Sequence, residues 1–174
     1  MSGTLRLGGV PEHFNLPWLL ALEGGALADV DATWTDQPGG TGQMLAALES
    51  GELDLVSILT EGTVAAIDGG LPATVVQVYV ESPLQWGIHV PSASDIHDVD
   101  QLEGRRIAIS RFRSGSHLMA FVQADRRGWE LRDDQFVVVG DLDGARSAFA
   151  DDRADQFLWD RFMTQPLVDA GEFR

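Results

Sequence analysis

The stretch "IAISRFRSGSHLMAFVQADRRGW", residues 107–129, decides the fold class. Alternating apolar residues run into Ser110, two arginines and a Ser-Gly-Ser. An apolar-periodic segment follows and stops at Gly128. The pattern predicts a strand, a tight turn and a helix over 115–127. Ser110, Ser114 and Ser116 bring three hydroxyls to the carboxyl end of the strand, and Gly115 permits a close backbone approach. His117 falls in the first helical turn, where the positive helix end disfavours its protonation. Arg111 and Arg113 add local positive charge. Such donors at a helix start suit an anion or polar ligand. The same residues also fit a plain serine cap with surface arginines.

Similar units extend in both directions. Towards the amino terminus, "TLRLGGV", "VDATW", "LDLVSIL" and "ATVVQVYV" read as strands. Between them, "NLPWLLALEGG" reads as a helix with Asn15 as N-cap and Gly24-Gly25 as its stop. "GGTGQMLAALESG" is a helix with Met44, Leu45 and Leu48 on its apolar face, and "TEGTVAAIDGG" a helix capped by Thr60. Past a further strand, "LQWGIHV", and a polar loop, "PSASDIHDVDQLEG", a second series begins with the opening stretch. It continues through the strand "FVVVG", the helix "DGARSAFADD" and the strand "ADQFLW". Strands alternating with helices predict α/β layers with a mainly parallel sheet. Lobe one is expected over 1–83, a hinge strand over 84–92 and lobe two over 93–174. "ALESGELD" (47–54) lines up with "AFADDRAD" (148–155), each a helix end, a short turn and a strand opening with Asp.

Composition narrows the function classes. The chain has 174 residues, 44% of them hydrophobic, enough for a real core. The net charge of -15 excludes the basic face that nucleic-acid binding needs, and attraction to an anionic membrane. No cysteine is present, so disulfides, thiol catalysis and thiolate metal sites are excluded. No apolar run approaches a membrane span and no signal-peptide pattern is visible. A cytoplasmic location follows for the sequence as it stands, or a periplasmic or extracellular one if a leader has been removed.

"QPGGTGQM" is neither a Walker A loop nor a dinucleotide fingerprint, because the Lys-Ser/Thr pair and the third glycine are missing. It remains a turn whose N–H groups open onto a helix start, or a tight turn with Thr41 as a cap. Glu61 follows a strand in "ILTEG", where it favours the helix dipole or partners a ligand amine. No histidines pair at i, i+4, so no metal site is expected, and no nucleophile elbow is present. No cofactor and no catalytic residue are assigned. Trp159 follows the strand "ADQFL", at the edge where open α/β sheets place ligands.

Together "GVPEHFNLPW", "GGTGQMLAAL", "ILTEGTVAAI", "SPLQWGIHV", "AISRFRSGSHLMA" and "FLWDRFMTQPLVDAGEFR" resemble the type 2 periplasmic-binding-protein-like family. The resemblance is to the branch of sulfonate, taurine and thiamine-pyrimidine binders, and within it to a cytosolic-looking subgroup of bacteria and fungi. It implies two α/β lobes closing on a ligand. It places His13 and Asn15 in the first strand-helix turn, Thr41 and Gly42 at the second helix start, and Thr60 and Glu61 at the third. Ser114, Gly115, Ser116 and His117 line lobe two, with Asp155 and Trp159 opposite. Two departures stand out. The family pattern has Gly where this chain has Arg113. Relatives also continue past the equivalent of Phe173-Arg174, returning to lobe one. The chain is therefore expected to be a truncated form, or to receive the return from another chain. Lobe one should then expose apolar surface and form a homo-oligomer.

The expected function is a binding protein of the ABC-transporter substrate-binding type, more a binder than an enzyme. Its ligand is a small polar or anionic molecule, with a flat heterocycle among the candidates, held between the lobes. The alternatives are an enzyme on the same fold, of the thiamine-pyrimidine or menaquinone-pathway type with Glu61 or His117 as acid/base, and a ligand-sensing regulatory module. The absence of Cys argues against a pyrimidine synthase that relies on a Cys-rich motif.

Overall fold

The computed structural model of the chain describes residues 3–174. Strands alternate with helices throughout, as the apolar periodicity predicts, and the chain divides into two compact units, Met1–Pro83 and Leu84–Arg174.

The first unit contains β1 (Leu5–Gly9), α1 (Leu16–Glu23), β2 (Ala32–Asp36), α2 (Gly40–Glu49), β3 (Leu55–Ser57) and α3 (Thr60–Asp68). Its three strands are parallel in the order β2-β1-β3. Parallel pairing sends every helix start to the carboxyl edge of the sheet. Leu7, Met44, Ala47 and Leu53 form the buried interior. β1 ends in two glycines because neighbours close in on both faces. A β-carbon at Gly8 would lie 2.5 Å from the Leu53 side chain, and one at Gly9 2.6 Å from Asn15 Nδ2 and 2.7 Å from Trp34.

Several expectations need correction here. The strand expected at "ATVVQVYV" is absent; residues 73–80 lie in no strand ladder. Alternating β-branched residues favour extended backbone, but a strand also needs a hydrogen-bonding neighbour. Val75, Val76, Val78 and Val80 are exposed, and Tyr79 packs on Trp18 with ring centroids 5.8 Å apart. β3 is half-buried, since it forms an edge of the sheet. Asn15 occupies the N-cap position of α1, but its side chain makes no capping bond; Nδ2 donates instead to the Val10 carbonyl at 2.7 Å. At α3 the N-cap is Leu59, and Thr60 is already helical.

The second unit contains β4 (Trp86–His89), β5 (Ile107–Ile109), α4 (Gly115–Arg127), β6 (Phe136–Val138), α5 (Leu142–Ala150), β7 (Gln156–Asp160) and α6 (Arg161–Asp169). The sheet order is β4-β7-β5-β6. β5 is parallel to both neighbours, and β4 is antiparallel to β7, so the segment read as a hinge strand pairs within this sheet. β5 and β7 are buried on both faces and read as apolar runs for that reason. Ala108 and Phe157 pack with Ala145, Ala148 and Phe173 on one face; Ile107, Ile109 and Leu158 pack with Ala120 on the other. The polar loop 91–104 holds a short 3-10 helix, Val99–Leu102, whose Leu102 joins Val90 and Ile96 in a small core.

The two units share one strand plan. In each, the first parallel strand is central, the second and third flank it, and a helix follows each. The echo between 47–54 and 148–155 is a real turn. Gly51 and Asp152 both take a left-handed conformation, with φ of 71° and 52°. Asp54 accepts from the Arg6 backbone N–H at 2.9 Å and from its guanidinium at 2.9 and 2.6 Å. Asp155 holds Arg106 in the same way, at 2.8 Å from the backbone and 3.0 and 2.8 Å from the guanidinium. Each pair ties the start of the central strand to the start of its third-strand neighbour.

Candidate functional site

In the second unit the carboxyl edge gathers the starts of three helices. At α4, Ser114 is the N-cap, and its Oγ accepts from the His117 backbone N–H at 3.3 Å. Ser116 Oγ accepts from the Ser110 N–H at 3.0 Å and lies 3.0 Å from Ser114 Oγ. All three serines are buried, Ser116 to 1% exposure. Their hydroxyls bind the end of β5 to the first turn of α4. Asp141 caps α5 by accepting from Gly144 N–H at 2.9 Å. Asp160 caps α6 by accepting from Phe162 and Met163 N–H at 2.9 and 3.0 Å.

His117 is locked in one tautomer. Its Nδ1 accepts from the Arg113 backbone N–H at 3.0 Å, so the ring proton of the neutral form sits on Nε2. Phe136, Phe121 and Phe112 meet the ring edge-to-face at 4.7, 5.0 and 5.3 Å. Burial among them holds the imidazole below the ordinary histidine range, and the Asp133 carboxylate opposes this. The ring therefore stands as a neutral strut of the turn.

Arg113 has φ of 66°, in the left-handed region that favours glycine. The arginine thus stands in a backbone shape that glycine adopts freely. A left-handed residue with a β-carbon costs roughly 1–2 kcal/mol, and the extra unfolded-state freedom of glycine offsets roughly 0.4–1 kcal/mol of any relief. Arg113→Gly is expected to raise stability by roughly 0.5 kcal/mol, read as a higher urea midpoint at unchanged slope. A lower midpoint would show that the Arg113 side chain, not its backbone, supports the turn.

Trp159 lies at the same edge, half-buried and stacked on Phe157 at 4.9 Å. Asp155 does not. It precedes β7, at the far end of the sheet, and is held by Arg106, which pulls its carboxyl below the ordinary range. The structure thus brings Ser114, Gly115, Ser116, His117 and Trp159 to one edge and leaves Asp155 at the other. Asp160 was overlooked in the sequence, although a carboxylate between a strand and a helix is a cap signal. The missed helix α6 follows it, with Pro166 in its interior masking the pattern. α6 also carries Thr164, fully buried, with Oγ1 2.8 Å from His89 Nε2.

The carboxyl edge of the first unit differs in one respect: none of its three helices has a side-chain cap bond. Thr41 and Gly42 lie in the first turn of α2, and Thr60 and Glu61 open α3. A β-carbon at Gly62 would overlap the Thr41 methyl, so the two helix starts lie side by side. Gly39 N–H donates to Gln43 Oε1 at 2.6 Å, which occupies one donor at the α2 start. Glu61 is exposed in the first turn of α3, whereas α2 has no acidic residue there. A β-carbon on Gly42 would meet nothing within 4 Å, so that side of the turn is open. His13 is exposed, in the short 3-10 helix His13–Asn15, and Asn15 is buried beneath it at the end of β1. Among the described residues no cluster of three His, Asp or Glu side chains is placed to hold a metal, and no helix is long and apolar enough to cross a membrane.

Known proteins share this architecture. The Ca3427-like PBP family matches over residues 86–174. The Candida albicans CA3427 gene product, described as having the generic periplasmic binding protein fold, is 32% identical with a TM-score of 0.87. The alignment covers 99% of this chain and 58% of that one. The alkanesulfonate-binding protein SsuA from Xanthomonas axonopodis pv. citri, bound to MOPS, is 26% identical with a TM-score of 0.76, covering 98% and 59%. The aliphatic sulphonate binding protein SsuA from Escherichia coli, 23% identical with a TM-score of 0.71 over 100% and 60%, shares the fold. The chain spans somewhat under two thirds of each of these relatives. No curated protein sequence matches it.

Proposed function

The chain belongs to the Ca3427-like PBP family, and from that premise we propose that it binds a small polar or anionic molecule at a strand-to-helix edge, in the manner of an ABC-transporter substrate-binding protein. The start of α2 carries this reading. The Gly39 and Gly40 N–H groups are taken by Gln43 Oε1 and the Gln37 carbonyl, but no side chain caps those of Thr41 and Gly42, no carboxylate stands in the first turn, and open space lies beside Gly42. Uncapped amides at a helix start favour an oxyanion through direct N–H donation and the helix dipole. The alkanesulfonate bound by the 26%-identical relative supports a ligand of that charge. The proposal includes self-association through the exposed valines of residues 75–80, since an apolar segment without a partner favours burial against another chain.

Native mass spectrometry of the purified protein tests both parts. The expected spectrum shows a retained small molecule, recovered with unchanged mass after incubation, on a dimer or larger species. A spectrum without any retained mass, together with no thermal stabilisation by a panel of small anions and neutral solutes, would sink the binding reading. A changed mass after incubation would replace it with an enzymatic one.

A further inference from the structure

We propose that Arg111 is the positive charge that receives an oxyanion of the bound molecule (a sulfonate, phosphonate or carboxylate) at the carboxyl edge of β5. This rests on the binding function proposed above and names the chemical class of the ligand. Arg111 directly follows Ser110 at the end of β5, and its carbonyl accepts from the Ser114 N–H at 3.2 Å, so it belongs to the turn that starts α4. The chain carries a net charge of -15, and its other two partly buried arginines are engaged: Arg6 is held by Asp54, and Arg106 by Asp152 and Asp155. Exposed arginines find acids as well, Arg146 with Glu172 at 2.8 Å and Arg132 with Asp134 at 3.1 Å. Arg111 has neither a carboxylate nor a carbonyl partner among the described residues, although it is half-buried. Arg113, Arg126 and Arg161 also lack side-chain partners, but they are exposed and solvated.

A guanidinium taken partly out of water without a counter-charge is unfavourable, and a desolvated, unpaired charge at a ligand-facing edge marks a candidate functional group. Burial lowers the Arg111 guanidinium from its ordinary value, with no neighbouring acid to oppose it. Five fixed donors on a planar fork match the geometry of an oxyanion. The hydroxyls of Ser114 and Ser116 are already committed within the turn, so at this edge the charge recognition falls to Arg111.

The test compares the parent with Arg111→Gln and Arg111→Lys by calorimetry and thermal unfolding. The probes are 1-propanesulfonate and methylphosphonate, with 1-propanol as the neutral counterpart, all at fixed ionic strength. The parent is expected to bind at least one of the two anions and not 1-propanol. Arg111→Gln should lose roughly ten- to a hundredfold in that affinity, the loss of one charged hydrogen-bond donor set, and Arg111→Lys should retain part of it. Without ligand, Arg111→Gln should melt at the parent temperature or above, because removal of an unpaired, desolvated charge relieves strain kept for function. Unchanged anion affinity in Arg111→Gln overturns the assignment, as does a lowered melting temperature, which would make Arg111 structural. A parent that binds 1-propanol and neither anion overturns it while leaving the binding function intact. A parent that binds none of the probes and retains no small molecule overturns both.

Discussion

Gly144→Ala is expected to lower stability by about 3 kcal/mol, the upper end for forcing atoms into a packed site. For a chain of this size that is roughly 6–12 °C in melting temperature. A β-carbon at Gly144 would overlap the Val139 carbonyl oxygen. That peptide cannot easily retreat. Val139 N–H donates to the Ile109 carbonyl at 2.9 Å, and Gly140 N–H donates to the Ser110 carbonyl at 3.0 Å. Gly144 N–H is itself bound to Asp141, the cap of α5. The added methyl therefore has to move either the helix start or the end of β5, and the second route displaces the turn that carries Arg111 and Ser114. Gly42→Ala serves as the control, because its β-carbon meets open space in a helix where alanine is favoured by about 1 kcal/mol. A Gly144→Ala variant that melts within a degree of the parent would show that the β6–α5 join shifts freely, and that the edge is softer than its hydrogen bonds imply.

The opening stretch was legible because its signals are local. Alternation in Ile107–Ile109, a cap serine at 114 and glycine at 128 mark a strand, a start and a stop within one window, and α4 occupies 115–127. Residues 73–80 misled for the converse reason. Their alternation encodes extended backbone, whereas a strand is defined by a neighbour elsewhere in the polypeptide. Caps at Asn15 and Thr60 were misread because residue type is a preference, and the side chain of Asn15 found the Val10 carbonyl instead. Asp155 was a site residue by the family resemblance alone. Its partner Arg106 is 49 positions away, and no local pattern reveals that pairing. The same holds for Arg111, whose solitude is a property of everything that does not approach it.

Ser116→Ala is expected to lower stability by about 2 kcal/mol, the penalty for leaving a buried donor unmade, or roughly 4–8 °C in melting temperature. Ser116 Oγ is the acceptor for the Ser110 N–H, and Ser110 is itself 4% exposed, so water cannot replace the lost bond cheaply. The hydroxyl also lies 3.0 Å from that of Ser114, which caps α4, so its removal loosens the cap as well. Affinity for 1-propanesulfonate should change little when measured well below the melting transition, since a side chain with 1% exposure offers its oxygen to the turn and not to a ligand. Placement at a helix start suggested the opposite division, in which Ser116 donates to the anion. The paired measurement separates the two. A ten- to hundredfold loss of affinity with an unchanged melting temperature would assign the hydroxyl to the ligand, by the roughly 1.5–3 kcal/mol that a hydrogen bond to a charged group contributes. An earlier melt with affinity retained assigns it to the scaffold, and leaves the recognition of charge to the guanidinium five residues before it.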